Sequence, residues 1–220
     1  AVYNSPYILA TMDGCTQWSG KMTQTQEKVL ALAKRKGILR VKDLREVGIH
    51  PEYLRRLYKK GMLVRISRGL YVPVDAELSA NAGLAQASRR VPRGVICLLS
   101  ALRYHEIGTA NPFEVWIALD QDVRRPQVEY PSLRIVRFSG KALTEGVGHY
   151  RIESVPVKVY NPAKTVADCF KFRNKIGLDV AIEALRDCLR SKKCTRAQLW
   201  QYAEICRVTK VMRPYLEAVS

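Results

Sequence analysis

The chain has 220 residues, 47% of them hydrophobic, so it can bury a sizeable core in one large domain or two small ones. Its 37 Lys and Arg against 20 Asp and Glu give a formal net charge of +17, which makes nucleic acid the leading partner class and an anionic membrane surface the second. No apolar run approaches the roughly 20 residues that cross a bilayer, so a membrane-spanning class is excluded and a soluble protein is predicted.

The positive charge is concentrated near the beginning of the chain. Residues 22–74 carry 13 Lys or Arg against 4 Asp or Glu, whereas the other 167 residues carry 24 against 16. This stretch is therefore the denser electrostatic footprint for a polyanion.

Residues 1–21 show neither a sustained hydrophobic period nor the positive and apolar regions of a secretory signal. We treat them as an unassigned N-terminal extension. Met22 is a candidate for the natural first residue, and a native or non-native origin of the extension stays open.

Six cysteines are present; none forms a Cys-x-x-Cys pair, and no histidine flanks them at zinc-ligand spacing. Cys97, Cys169 and Cys188 lie in apolar segments, where a thiol acts as a small buried hydrophobe. A chain of this length needs no disulfide, so the sequence predicts reduced cysteines and a cytoplasmic location. We also predict no metal site and no cofactor.

In chain order, the first predicted helix has Thr25 as its N-cap, runs to about Lys36 and ends at Gly37. Residues 38–40 are expected to form a connector. A second short helix ends at residue 48 and spaces its apolar residues at i, i+3: Val41, Leu44 and Val47.

Pro51 starts the third predicted helix, because proline fits the first helical turn, and Gly61 ends it. Its predicted buried side consists of Leu54, Leu57 and Tyr58. On the opposite side, an arc of about 100° holds four polar residues: Glu52, Arg55, Arg56 and Lys59. One side of this helix is therefore expected to pack into the protein while the other presents three cations.

Residues 63–66 and 70–72 alternate around a glycine-containing turn, which predicts a β-hairpin with Arg65 along it and Arg68 at its tip. Two helices, a basic helix and a hairpin in this order predict a winged helix-turn-helix, a module that places one helix in the DNA major groove. We assign this domain to residues 22–75.

Residues 76–220 predict a mixed α/β body with a helical C-terminus, so the expected fold class is mixed α/β (α+β). Strands are expected at 95–98, 115–119, 133–138, 150–153 and 155–160. Helices are expected at 79–90, 100–106, 161–174, 178–189, 195–206 and 209–219.

Side chains near the start of a recognition helix read base edges, while neighbouring cations hold phosphates. Candidates for base contact are His50, Glu52, Tyr53 and Arg56. Arg56 is the first of these, because a guanidinium matches guanine O6 and N7. Candidates for phosphate contact are Arg55, Lys59, Arg65 and Arg68, to which the second helix adds Lys42 and Arg45. The plain alternative is an ordinary solvated helix face.

A metal-dependent nuclease is an alternative of another class. Asp120, Asp122 and Glu129 follow a predicted strand, but no partner carboxylate and lysine stand at a recognisable spacing. Ser100 and His105 fall on different faces of one helix without a nucleophile elbow. We therefore predict no catalytic site.

Three further residues could suggest chemistry but have plainer interpretations. Asp168 lies within a predicted helix, where a cap or a salt bridge is expected rather than catalysis. Trp116 and Phe113 are expected in the core rather than as platforms for base stacking.

The sequence resembles the AbiEi-type antitoxins, the transcription-regulating partners in bacterial abortive-infection toxin–antitoxin pairs. The resemblance rests on YLRRL at 53–57 with GML at 61–63 and RGLY at 68–71, on LSALRYHEIG at 99–108, and on NPAKTVADCF at 161–170 with GLDVAIEALR at 177–186. It implies a winged helix that binds and represses the promoter of its own operon. It also implies a body needed to neutralise a nucleotidyltransferase-like toxin, in a type IV system where a stable complex with the toxin is not expected.

The predicted partner is double-stranded operator DNA with inverted repeats, because winged-helix repressors commonly bind symmetric operators as two protomers. No strong dimerisation helix is visible, so we expect a monomer when free that pairs on DNA. A plain transcription factor whose body senses a ligand stays open as another alternative.

Overall fold

The computed structural model describes residues 22–76, 79–128 and 130–219. Over these residues the chain is a mixed α+β protein with eleven helices and two sheets, as predicted. We call residues 22–75 the head and residues 76–219 the body. None of the helices in the described parts is both long and apolar enough to cross a bilayer.

The head contains three helices and a three-stranded antiparallel sheet in the order β1-β3-β2. Its elements are α1 (Gln24–Lys36), β1 (Leu39–Arg40), α2 (Val41–Glu46), α3 (Glu52–Lys59), β2 (Leu63–Ser67) and β3 (Leu70–Pro73). This is the arrangement of a winged helix-turn-helix. We call β2, β3 and the turn between them the wing.

Three local expectations for the head are wrong. The N-cap of α1 is Thr23 rather than Thr25, because Gln26 completes a capping box by accepting the Thr23 backbone N–H at 3.2 Å. The expected connector contains β1, which pairs with β3 and is too short to show alternation in sequence. Val47 lies beyond the end of α2 and is 47% exposed.

The body is built on a five-stranded mixed sheet in the order β6-β5-β4-β8-β7. The pairs β5–β6 and β4–β8 are parallel, and the others are antiparallel. Its strands are β4 (Val95–Ile96), β5 (Val115–Asp120), β6 (Leu133–Phe138), β7 (Val147–Ile152) and β8 (Val155–Tyr160). Its helices are α4 (Ala82–Arg90), α5 (Leu98–Tyr104), α6 (Lys141–Thr144), α7 (Pro162–Lys171), α8 (Arg173–Ile176), α9 (Leu178–Arg190), α10 (Arg196–Ile205) and α11 (Thr209–Ala218).

The body sheet buries both of its faces. Along β5, Trp116 and Ala118 join a core formed with the helices of the C-terminal half, whereas Ile117 and Leu119 join a second core on the opposite face. This alternation is the period of two that a strand imposes.

The second of these cores is shared between head and body. Ile38, Leu70 and Val72 of the head pack in the same buried cluster as Leu84 of α4 and Val155 of β8. Apolar packing therefore runs across the predicted boundary at residues 75 and 76, and that boundary stays a prediction.

The cysteines differ in part from expectation. Cys97, Cys169 and Cys206 are buried free thiols, but Cys188 and Cys194 are paired as a disulfide. Their Cα atoms come within 5.8 Å because the chain reverses after α9, at residues 191–193. The expectation of reduced cysteines is wrong for this pair, and Cys15 lies outside the described residues.

Phe113 is also placed differently from the prediction. It is 93% exposed, because it belongs to the loop that precedes β5 rather than to the strand. Trp116, three residues later, is 6% exposed and lies beneath the guanidinium of Arg134, 5.3 Å from the ring centroid. Only the tryptophan is a core residue.

Candidate nucleic-acid interface

Helix α3 is docked on the head by two leucines. Leu54 and Leu57 are buried against Val29 and Leu32 of α1 and Leu44 of α2. Burial of two leucine side chains contributes roughly 3–6 kcal/mol and fixes the rotation of the helix about its axis. The docked side of α3 therefore determines which side faces solvent.

Tyr58 is not on the buried side as predicted. It is 47% exposed and contacts the ring of Tyr71 in β3 edge to face, with centroids 6.3 Å apart. Tyr53 instead packs against the head core and is half-buried. Around the circumference of α3, the buried side thus includes Tyr53 and Leu54 but not Tyr58. Helical spacing alone could not show which of the two tyrosines is buried.

The opposite side of α3 is open to solvent. The side chains of Arg55 and Arg56 are 64% and 58% exposed, and Lys59 is exposed as well. No described element covers this cationic side. It is the surface on which a polyanion could be held.

Glu52 organises the two arginines next to it. Arg55 Nη2 lies 2.9 Å and Arg56 Nε 3.9 Å from Glu52 Oε1. The hydrogen bond from Arg55 lowers the pKa of the Glu52 carboxyl, which keeps the carboxylate ionised. Arg56 also lies over the ring of Tyr53, with its guanidinium carbon 5.4 Å from the centroid.

The other predicted contact residues on the helices surround this surface. His50 is exposed, and its Nδ1 accepts the backbone N–H of Glu52 at 3.2 Å, so it caps the first turn of α3. On α2, Arg45 is exposed, and Lys42 is 73% exposed at 4.0 Å from Glu46. A pair this exposed leaves the lysine able to exchange partners.

The wing carries the remaining two predicted residues, Arg65 and Arg68, and both are exposed. The pairing of β2 with β3 shifts between Arg65 and Ser67, which marks a bulge. Gly69 adopts φ 73°, a conformation that favours glycine, and this allows the tight turn after Arg68.

The sequence did not predict the buried carboxylate of Asp43, a residue of α2. Asp43 accepts the Arg40 backbone N–H at 2.7 Å and the Lys36 ammonium at 3.0 Å, and the guanidinium of Arg89 in α4 lies 3.7 Å away. Burial alone would raise the pKa of Asp43, but the hydrogen bonds from Arg40 and Lys36 outweigh it, so the pKa lies below its ordinary value. No sequence pattern connects residue 43 to residue 89.

The residues of the nuclease alternative do not form a recognisable centre. Asp120 Oδ1 accepts the backbone N–H of Asp122 at 3.3 Å, as in a local turn, and Glu129 lies outside the described residues. Within the described ranges, no group of three or more His, Cys, Asp and Glu side chains is placed to hold a metal ion.

Ser100 and His105 are held by different backbone groups. Ser100 Oγ accepts the Trp116 backbone N–H at 2.9 Å, and His105 Nε2 lies 2.7 Å from the Tyr160 carbonyl. Asp168 forms the expected salt bridge, with its Oδ2 2.5 Å from the fully buried ammonium of Lys164. These contacts give all three residues structural roles.

Residues 27–74 match the model of a family described as a transcriptional regulator, AbiEi antitoxin. The head is therefore similar to the regulator domain of AbiEi antitoxins. The match runs from α1 to the end of the wing, and it confirms the resemblance first seen in the sequence.

The structure of the RV2827C protein from Mycobacterium tuberculosis is similar to most of this chain. The likeness covers 90% of this chain and 81% of that protein, with a TM-score of 0.56 and 16% sequence identity. The body together with the head therefore has a fold found in another protein. No curated protein sequence matches the chain significantly.

Proposed function

We propose that this AbiEi-type chain is an antitoxin that binds the promoter of its own operon through the head and represses transcription. The observation that carries the proposal is the rotation of α3: its leucines are buried and its arginines are exposed. Exposed wing cations extend the same charge.

Each cation has a proposed role. Arg56 binds guanine O6 and N7 in bidentate fashion, because its guanidinium is exposed and is already oriented by Glu52 and Tyr53. The phosphate contacts come from Arg55, Lys59, Arg65, Arg68, Lys42 and Arg45. His50 and Glu52 complete the side of α3 that meets the bases, and the half-buried ring of Tyr53 supports Arg56.

The decisive experiment measures binding of the full chain to a duplex of the DNA upstream of its own gene, by fluorescence anisotropy at several salt concentrations. Affinity should fall by about 0.9 log units per log unit of salt for each phosphate neutralised. The double variant Arg55→Ala/Arg56→Ala should lose most of this affinity.

The matched control is Arg213→Ala, which removes an exposed arginine from α11, a helix whose Met212 and Leu216 pack in the core of the body. It should bind as the wild type does. Full binding by the double variant would show that α3 is not the recognition helix.

The antitoxin role belongs to the body in this proposal, in the cytoplasm of a bacterium and without a stable complex with the toxin. Support comes from the family match of the head and from the body motifs of the AbiEi type. Co-expression with a nucleotidyltransferase-like protein encoded beside the gene tests it. Arg55→Ala/Arg56→Ala should still rescue growth while losing repression, whereas loss of rescue would assign neutralisation to the head.

A further inference from the structure

The C-terminal end of α4, a helix of the body, reaches the wing of the head. Arg90 Nη2 donates a hydrogen bond to Ser67 Oγ at 2.9 Å and another to the carbonyl oxygen of Arg68. Ser67 is the last residue of β2, and Arg68 begins the turn of the wing. A side chain from the body therefore holds the backbone of the wing tip.

The neighbouring arginine attaches the same end of α4 to the helices of the head. Arg89 Nη2 donates to the carbonyl of Lys36 at the end of α1 at 3.2 Å, and its Nη1 lies 3.7 Å from Asp43 in α2. In return, Arg40 Nη1 donates to the carbonyl of Arg89 at 3.0 Å. The end of α4 thus contacts α1, α2 and the wing together.

This contact is more than a pair of surface charges. The side chain of Arg89 is only 11% exposed, and the Nε atoms of Arg40 and Arg89 are buried without a hydrogen-bond partner. Buried, unsatisfied donors cost free energy, so the surrounding packing must hold these guanidinium groups in place. Three cations meet around the fully buried carboxylate of Asp43: Lys36, Arg40 and Arg89.

We infer that Arg90 is a wing-positioning residue and that α4 is part of the DNA-binding unit. By fixing the carbonyl of Arg68, Arg90 sets the direction in which the Arg68 side chain leaves the wing turn toward a phosphate. Arg89 fixes α4 on the helices, so that the wing and α3 keep one relative orientation. This inference rests on the proposed function, because it needs a DNA phosphate for Arg68 to contact.

A double-mutant cycle on the full chain tests the inference. The probe is the upstream duplex, with a random-sequence duplex of equal length beside it. Arg90→Ala should weaken binding by about tenfold, as expected when one charge-assisted contact is lost, although residue 90 itself is not proposed to touch DNA. In an Arg68→Ala background the same substitution should have almost no further effect.

Two further variants, Arg90→Lys and Arg213→Ala, serve as controls. Arg90→Lys keeps the charge and one donor group, so it should recover part of the affinity and folds even where the alanine variant does not. Arg213→Ala removes the same charge from a helix of the body core and should change nothing. Hydroxyl-radical footprinting should show protection lost at the wing phosphates while protection by α3 remains.

The outcomes separate the two claims. Additive losses in the cycle, or equal loss of wing and α3 protection, would mean that Arg90 acts through general stability or direct contact, and the inference would fail alone. No salt-dependent binding of the wild type to either duplex would overturn the proposed function and this inference together. Coupled losses in the cycle confirm the positioning role.

Discussion

At the scale of single residues, Arg56 and Asp43 differ in how far the sequence predicts their positions. Arg56 is exposed and Asp43 is buried. Arg56 follows from helical spacing, because two buried leucines fix the side that remains outside. Asp43 follows only in part from local sequence: Arg40 lies three residues before it, but Arg89 is supplied by another helix. The exposed half of the candidate site could thus be predicted from sequence, and its buried support could not.

Arg56 and Lys59 should differ in what their removal does to DNA binding. Arg56→Ala should lower the ratio of operator to random-DNA affinity by about tenfold, because it removes a base contact. Lys59→Ala should weaken both duplexes alike and reduce the salt slope by about 1, because it removes a phosphate contact. Anisotropy titrations on both duplexes check this, and equal ratios for the two variants would contradict the assignment of roles.

Asp43→Asn should destabilise the head. The substitution leaves Lys36, Arg40 and Arg89 close together without a buried counter-charge, which costs about 3 kcal/mol in the free energy of unfolding. Urea denaturation at neutral pH measures this. The control is Asp75→Asn, which breaks an exposed pair with Lys34 and should change the stability far less, because water screens both charges.

The pH dependence of this effect follows from the sign of the shift. The pKa of Asp43 is lower in the folded chain than its ordinary value of 3.8. Its stabilisation is therefore complete above that value and is lost as the pH falls through the folded pKa. The gap in stability between wild type and Asp43→Asn should narrow below pH 3.8, and a gap independent of pH would show that the carboxylate charge is not the cause.

At the scale of elements, most helices and strands were predictable, but their pairing was not. The hairpin of β7 and β8 follows from alternation and a short turn, whereas the parallel pairing of Ile96 with Val159 joins strands more than 60 positions apart. The same holds for β1, whose two residues gain their strand character only from β3. Local pattern specifies an element, and tertiary contacts specify its neighbour.

Alanine substitutions at Gly37 and Gly61 test the contact between the head and the body, because only Gly37 lies against a body residue. Both have a left-handed φ, 65° and 70°. A methyl group on Gly37 would overlap with the carbonyl oxygen of Glu153 in the turn between β7 and β8, whereas nothing lies within 4 Å of one on Gly61. Gly61→Ala should cost about 1 kcal/mol for its backbone alone.

Gly37→Ala should cost clearly more than that, because the head must also move off the β7–β8 turn. Thermal denaturation of both variants measures the difference. Operator binding should weaken for Gly37→Ala and stay unchanged for Gly61→Ala. Equal melting temperatures would show that the approach of Gly37 to Glu153 is not maintained in solution.

At the scale of the whole molecule, the chain is expected to be a monomer in the absence of DNA. Two copies should assemble on the upstream duplex, with half-sites about 34 Å apart or a multiple of it, because winged helices read symmetric operators in this way. Sedimentation velocity with and without the duplex checks the prediction. A tight dimer of the free protein would contradict it.

The sheet of the body separates two buried layers, and under the proposed function different tasks constrain their sequences. One layer, around Trp116 and Tyr160, contains only residues of the body, and the other includes Ile38, Leu70 and Val72 of the head. Under the proposed function, sequence drift in the first layer can adapt the chain to a new toxin without disturbing operator recognition. Drift in the second must satisfy both tasks at once, so that layer should change most slowly among descendants of this protein.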